Sequence, residues 1–329
     1  MKKFINFFGI IGFLVIIMIP MNGFSQAKQD IAIKELTMVT SPIGGVWYTA
    51  GAKISEIFQK DFNLRVTVDV GSSAQNVRRI NAGKDADFGM ASTPEVWNSY
   101  NGMAPFKGKH TNVNLVGSLG QWCFQVLARE GSGISSWKDF KNKRYAPAAV
   151  GSGSEILSRY IFEEIGLSYD IIRKAGGAIQ FRSFSDSVEA LKDGNLDAMA
   201  MSSLYPIPNY EQYLLTNKGY FLPVEEALQK KIVQKYPAYM PAVMPAGIYR
   251  SQDKPIPTLG YHAVFIVRAD LPESAVYKLT KSLYQHQNEI SGLMAGLKKF
   301  GIKEALQWNR IPFHPGAKKY FKEVGIWKD

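Results

Sequence analysis

Asn81-Ala82-Gly83-Lys84-Asp85-Ala86-Asp87-Phe88-Gly89-Met90-Ala91-Ser92 ends a helical pattern, turns at glycine, and enters a short apolar strand through aspartate. Further along, Leu191-Lys192-Asp193-Gly194-Asn195-Leu196-Asp197-Ala198-Met199-Ala200-Met201-Ser202 repeats that grammar, its glycine-to-aspartate spacing one residue shorter. Glycine is the residue that stops a helix in the left-handed conformation, so each stretch reads as a helix-to-strand turn. A strand, a Gly/Ser run and a helix stand ahead of each copy. The chain is therefore expected to hold two lobes of similar build.

The rest of the sequence alternates in the same way. Leu36 to Thr40 reads as a strand, followed by a helix through Tyr48, Ala52, Ile54 and Phe58. Arg65 to Val70 alternates with period two and leads to a helix over Ser73 to Ala82. Beyond Cys123 the order restarts: strand Lys143 to Ala146, helix Glu155 to Ile165, strand Ile179 to Phe181, helix Ser185 to Lys192, strand Ala198 to Met201. This βαβα order predicts an α/β class with sheets flanked by helices. Leu259 to Val267 is a long strand, and Pro272 to Gln287 an amphipathic helix, so the first lobe resumes after the second. Phe124 to Ala128 and Leu259 to Val267 are the expected crossing strands. The resulting division is lobe I over 28–123 and 259–329, and lobe II over 124–258.

Residues 1–27 read as a secretory signal. Lys2 and Lys3 precede an apolar stretch from Phe4 to Met21, and small residues follow at Gly23, Ser25 and Ala27. An uncleaved anchor is the alternative, because the stretch approaches the ~20 residues that span a bilayer. The single cysteine, Cys123, excludes an intramolecular disulfide and reads as a buried hydrophobe. The net charge of +11 is dispersed and interleaved with acids. That reads as a solvated surface, not a nucleic-acid module.

Three Gly/Ser runs join strand to helix: Thr40 to Gly45, Gly71 to Ser73, and Gly151 to Ser154. Each exposes backbone N–H groups at a helix start, where the partial positive charge favours an anion. In open α/β sheets ligands sit beyond the carboxyl ends of strands, where all three runs lie. Tyr48 is a candidate ring wall or hydroxyl. Ser73 and Asn76 are candidates for both capping and ligand contact, and Ser92 and Thr93 for an ammonium or hydroxyl group. Ser152 and Ser154 are the candidate carboxylate donors of the second lobe. Ser203 and Tyr205 complete the ligand-binding set.

The ordered set Gly44-Gly45-Val46-Trp47-Tyr48, Ser73 with Asn76, Gly83 to Asp87, Gly151 to Glu155, Gly194 to Asp197 and Ala246 to Tyr249 resembles the TAXI family of TRAP-transporter solute receptors. The resemblance spans about residues 35 to 285. It implies a two-lobed periplasmic binding protein fold of type II-like build, each lobe a mixed sheet flanked by helices, with the ligand cleft between them. It further implies a monomeric periplasmic receptor passing a small anionic solute, a carboxylate or amino acid, to a membrane-embedded TRAP subunit. The family's Gly-Gly-x-Tyr-Tyr loop falls on Gly44 to Tyr48, with Trp47 in place of the first tyrosine. Ala91 to Glu95 departs from the family's glutamine and aspartate, and Ser202 to Pro206 lacks its glycine.

No catalytic motif accompanies these turns: there is no Gly-x-Ser-x-Gly elbow, His-Glu-x-x-His or phosphate loop. His110, His262, His286 and His314 lack ligand spacing, so neither metal nor cofactor is expected. The readings left open are a receptor for an ABC importer, an exported hydrolase or transferase, and a sensory domain.

Overall fold

The computed structural model describes residues 31–328 except Pro42, Gly44, Ser251, Ala295 and Gly296, so the expected signal segment lies outside the described residues. The chain opens with β1 (Glu35–Val39), α1 (Val46–Phe62), β2 (Arg65–Asp69), α2 (Ser73–Ala82), β3 (Phe88–Ser92) and α3 (Thr93–Asn101). A crossing strand, β4 (Val113–Arg129), leads into β5 (Arg144–Ala146), α4 (Gly153–Glu164), α5 (Tyr169–Lys174), β6 (Ala178–Ile179), α6 (Phe184–Lys192) and β7 (Ala198–Ser203). Then follow α7 (Pro208–Thr216), β8 (Gly219–Leu222), α8 (Glu226–Lys235) and β9 (Met240–Met244). The return strand is β10 (Ile256–Arg268), after which α9 (Glu273–Gln285), α10 (Gln287–Ser291) and α11 (Pro315–Glu323) pack back on the first lobe.

The strands form one mixed sheet in the order β2-β1-β3-β10-β4-β7-β5-β6, with β8 also on β4 and β9 on β10. Within each lobe the helix-linked strands run parallel, β2, β1 and β3 in one and β6, β5 and β7 in the other. Antiparallel β10 and β4 stand between them. The apolar cores divide in the same place. One takes β4 as far as Leu119 and β10 from Ala263, while another takes Phe124 onward and Leu259 with Tyr261. This is the expected two-lobed α/β architecture. Both expected exchange points, 123/124 and 258/259, fall inside unbroken strands.

The crossing strand is far longer than Phe124 to Ala128, running 17 residues. Gly117 and Gly120 interrupt its period-two pattern, since a strand glycine has no side chain to read. Each glycine has a structural reason. A Cβ on Gly117 would stand 1.9 Å from the Tyr284 hydroxyl, and Gly120 has a φ of +144°. Gly120 adjoins a register shift in the β4–β10 ladder, so the strand bends where the lobes exchange. At the opposite edge, β6 is shorter than the expected Ile179 to Phe181 and pairs with β5, itself three residues long. The expected helix from Pro272 to Gln287 divides at His286, whose ring lies 2.6 Å from a Glu289 carboxylate oxygen and 3.2 Å from one of Asp61.

The repeated turn performs one task in both lobes. Asp87 Oδ2 accepts the Thr37 amide at 2.8 Å, and Asp197 Oδ2 accepts the Arg144 amide at 2.9 Å. Each thus ties its turn to the neighbouring parallel strand, at the middle of β1 and the first residue of β5. Gly83 and Gly194 hold φ values of +65° and +72° just before them. Each aspartate also meets arginine, Asp87 with Arg268 at 3.2 Å and Asp197 with Arg144 at 2.7 Å and Arg129 at 3.1 Å. Burial alone would raise the Asp197 carboxyl, but bonds from Arg144 and Arg129 hold it below the usual carboxylate range.

Asp197→Asn is therefore expected to cost about 2 kcal/mol at neutral pH, the scale of hydrogen bonds to a charged group. A carboxyl held low stabilises the fold above its unfolded value and loses that contribution as pH falls through its folded value. Urea melts of both proteins should accordingly show a gap that is full at pH 7 and closes below about pH 4. A gap independent of pH would assign the loss to packing.

Candidate functional site

The helix starts that follow the three Gly/Ser runs approach one seam, with Trp47 beside Trp122, Asn76 bonded to Thr40 and Gly153 against Tyr261. In the second turn, Ser73 opens α2, and its hydroxyl accepts the Ser92 amide at 2.8 Å while donating to Glu95 Oε2 at 3.2 Å. Ser92 and Glu95 have the S-x-x-E spacing of a capping box. Ser73 takes the amide that the box would give to Glu95, so the second turn is tied to the start of α3. Asn76 is fully buried, and its Nδ2 donates to the carbonyls of Thr40 and Met90 at 2.7 and 2.8 Å. It fastens the ends of β1 and β3 behind the seam.

Thr93 bridges the lobes. Its hydroxyl donates to the Ala238 carbonyl at 3.1 Å and accepts the His262 amide at 3.2 Å. On the second lobe, Ser152 caps α4 by accepting the Glu155 amide at 3.3 Å. Ser154, the second residue of that helix, is buried, and its carbonyl accepts the Ser158 hydroxyl. A Cβ on Gly153 would lie 2.9 Å from the Tyr261 hydroxyl, so the third turn abuts β10 closely. In the first turn, the Tyr48 amide donates to Ser41 Oγ at 3.1 Å. Its neighbour Trp47 is the more deeply buried of the two.

Tyr261 is the meeting point. Its ring lies 6.2 Å from Trp122 and 6.1 Å from Tyr239, and Trp122 lies 5.2 Å from Trp47. Burial pushes the Tyr261 phenol up, the Glu95 charge adds to this, and the nearby hydroxyls of Ser202 and Ser92 act the other way, although Ser202 Oγ does not reach hydrogen-bonding geometry. Four buried groups here have no hydrogen-bond partner among the described residues: Trp47 Nε1, Trp122 Nε1, Ser202 Oγ and Tyr239 OH. A buried polar group left unpaired costs about 1–3 kcal/mol. Glu95 is itself 3 % exposed. Burial pushes its carboxyl up to about 7, against its own amide and the Ser73 and Ser92 hydroxyls.

Strand alternation decides who joins this cluster. Trp122 pairs with Tyr261 across β4–β10, and Phe124 with Ser202 across β4–β7, so Ser202 shares the Trp122 face. Ser203 pairs with Cys123 and faces the other way. On that side Tyr205, Cys123, Gln121 and Lys299 line a separate open concavity of about 730 Å³. The structure therefore brings Ser73, Ser92 and Thr93 together with the start of α4, and places Ser203 and Tyr205 elsewhere. Glu95, Ser202, Tyr239 and Tyr261 are the members that sequence reasoning missed. The substitution of Trp47 into the family-like loop was a signal for the indole pair. Cys123 is 2 % exposed, and burial pushes its thiol up to about 12, as expected of a buried hydrophobe.

Two α/β lobes meeting on a polar seam define the fold of a two-lobed solute-binding protein. The chain belongs to the NMT1-like family, whose profile matches residues 38–325. Among solved structures, a protein of Bordetella bronchiseptica RB50 aligns at a TM-score of 0.51 and 12% identity, over 89% of this chain and 90% of that one. PhnD1 of Prochlorococcus marinus (MIT 9301), solved with methylphosphonate, aligns at 0.49 and 13%, over 89% and 99%. The periplasmic aliphatic sulphonate binding protein SsuA of Escherichia coli aligns at 0.47 and 15%, over 88% and 79%. The family match corrects the sequence reading: the assignment to TAXI-type TRAP receptors is replaced by membership of the NMT1-like family.

Because the four unpaired groups cost stability, Ser202→Ala and Tyr239→Phe are expected to leave the melting temperature unchanged or raise it. Each should weaken binding of a solute held at the seam by about tenfold, the worth of roughly 1.4 kcal/mol. Parallel calorimetry and thermal melts check this. A loss of stability without a loss of affinity would place both hydroxyls in the scaffold.

Proposed function

We propose that this protein is an exported solute receptor of an ABC-type importer, holding a small oxyanion between its lobes. The observation that carries the reading is the set of unpaired donors contributed from both sides of the seam, Trp47 and Trp122 with Ser202 and Tyr239. A solute bearing several acceptor oxygens would satisfy them together. The first-turn amides of α2 support the same polarity, since its N-cap residue makes no side-chain bond to them. Tyr48, Ser73, Ser92, Thr93, Ser152 and Ser154 form the rim of this proposed site.

Closure would be a bending of β4 and β10 near Gly120, with lobe boundaries close to 123/124 and 258/259. The solute stabilises the closed form because it bonds to both lobes at once. The basic start and the apolar stretch from Phe4 to Met21 support export. With the TRAP assignment withdrawn, the ABC importer is the membrane partner we adopt. Its mark would be uptake that requires ATP hydrolysis in reconstituted vesicles.

A thermal-shift screen tests the solute class. Propanoate, pyruvate, ethanesulfonate and methylphosphonate are set against arginine and glucose. A true ligand at one hundred times its Kd should add about 2.7 kcal/mol of stability. Stabilisation by arginine or glucose alone would overturn the oxyanion reading.

A further inference from the structure

We infer that Glu95 selects the charge of the solute by holding a proton between the closed lobes and sharing it, as a hydrogen bond, with the bound oxyanion. This rests on the proposed oxyanion site. Glu95 belongs to lobe I and is bonded by Ser73, and groups from both lobes act on its carboxyl or feel its charge. These are Ser73 of α2 and Ser92 at the start of α3, Tyr160 of α4, Tyr239 ahead of β9, and Tyr261 of β10. No lysine or arginine is among the groups that act on its carboxyl. Arg159, the basic side chain next to Tyr160, is engaged with Glu155 at 2.6 Å.

A carboxylate buried without a cation is far costlier than a carboxylic acid that can hydrogen-bond. A second negative charge arriving beside it would raise that cost further. The neighbouring phenols stay neutral, since burial raises those of Tyr160, Tyr239 and Tyr261. The seam therefore meets an oxyanion with neutral donors only, and Glu95 is the one member able to change its charge. A protonated Glu95 adds a donor to the four unpaired groups. An ionised Glu95 repels the same solute. The residue thus admits a monoanion under neutral or acidic conditions and rejects it under alkaline ones.

Calorimetry with ethanesulfonate and propanoate, both fully ionised from pH 6 to 9, tests this. Affinity should be level below about pH 7 and weaken toward tenfold per pH unit above it. Buffers of different ionisation enthalpy should report close to one proton taken up per solute at pH 8.5. Glu95→Gln retains a neutral donor, so it should bind within a few fold and lose the pH slope, whereas Glu95→Ala should weaken binding at every pH. Proton release on binding, a level wild-type affinity, or loss of binding in the Gln variant would overturn the assignment. If neither solute binds at any pH, the oxyanion reading of these probes fails, and Glu95 is judged without ligand. A wild-type minus Glu95→Gln infrared difference with a protonated carboxyl stretch at pH 6 supports the inference. A carboxylate signature throughout overturns it.

Discussion

The antiparallel pairing of β10 with β4 is the constraint on which the molecule depends. These strands carry both lobes, join one mixed sheet, and fix the register that decides which side chains reach the seam. A loop linker would leave the lobes free to tumble. Two paired strands permit bending while keeping the faces opposed. Gly120 and the adjoining register shift concentrate that bending at the exchange of cores.

From that pairing the polar seam follows. Trp122 and Tyr261 are register partners, so one ladder position sets two aromatic rings beside each other. Trp47 reaches them from α1, Tyr239 from the approach to β9, and Ser202 from the end of β7. The donors left unpaired there carry a desolvation cost that the fold does not recover through hydrogen bonds among the described residues. Other polar side chains tie the sheet together. Asp87 and Asp197 each take a strand amide, and Asn76 ties two strand ends.

Much of the fold was legible. The Gly–Asp turns announced the two lobes because helix stops and strand starts are written in local backbone chemistry. The Gly/Ser runs announced helix starts for the same reason. The first half of β4 was hidden, since Gly117 and Gly120 erase the alternation by which a strand is read. Ser203 was chosen over Ser202 because adjacent strand residues look alike in sequence while facing opposite ways.

The sequence by itself determined the α/β alternation, the repeated turn and the cleft-side placement of three Gly/Ser runs, all properties of short segments. Only the tertiary structure decided that a glutamate in the first turn of α3 would be buried without a cation. It also decided that two indoles, a phenol and a hydroxyl from distant segments would be buried near the seam without a hydrogen-bond partner among the described residues. Burial and pairing are properties of what surrounds a residue, and the surroundings of Glu95 come from four separate stretches of chain joined by strand register.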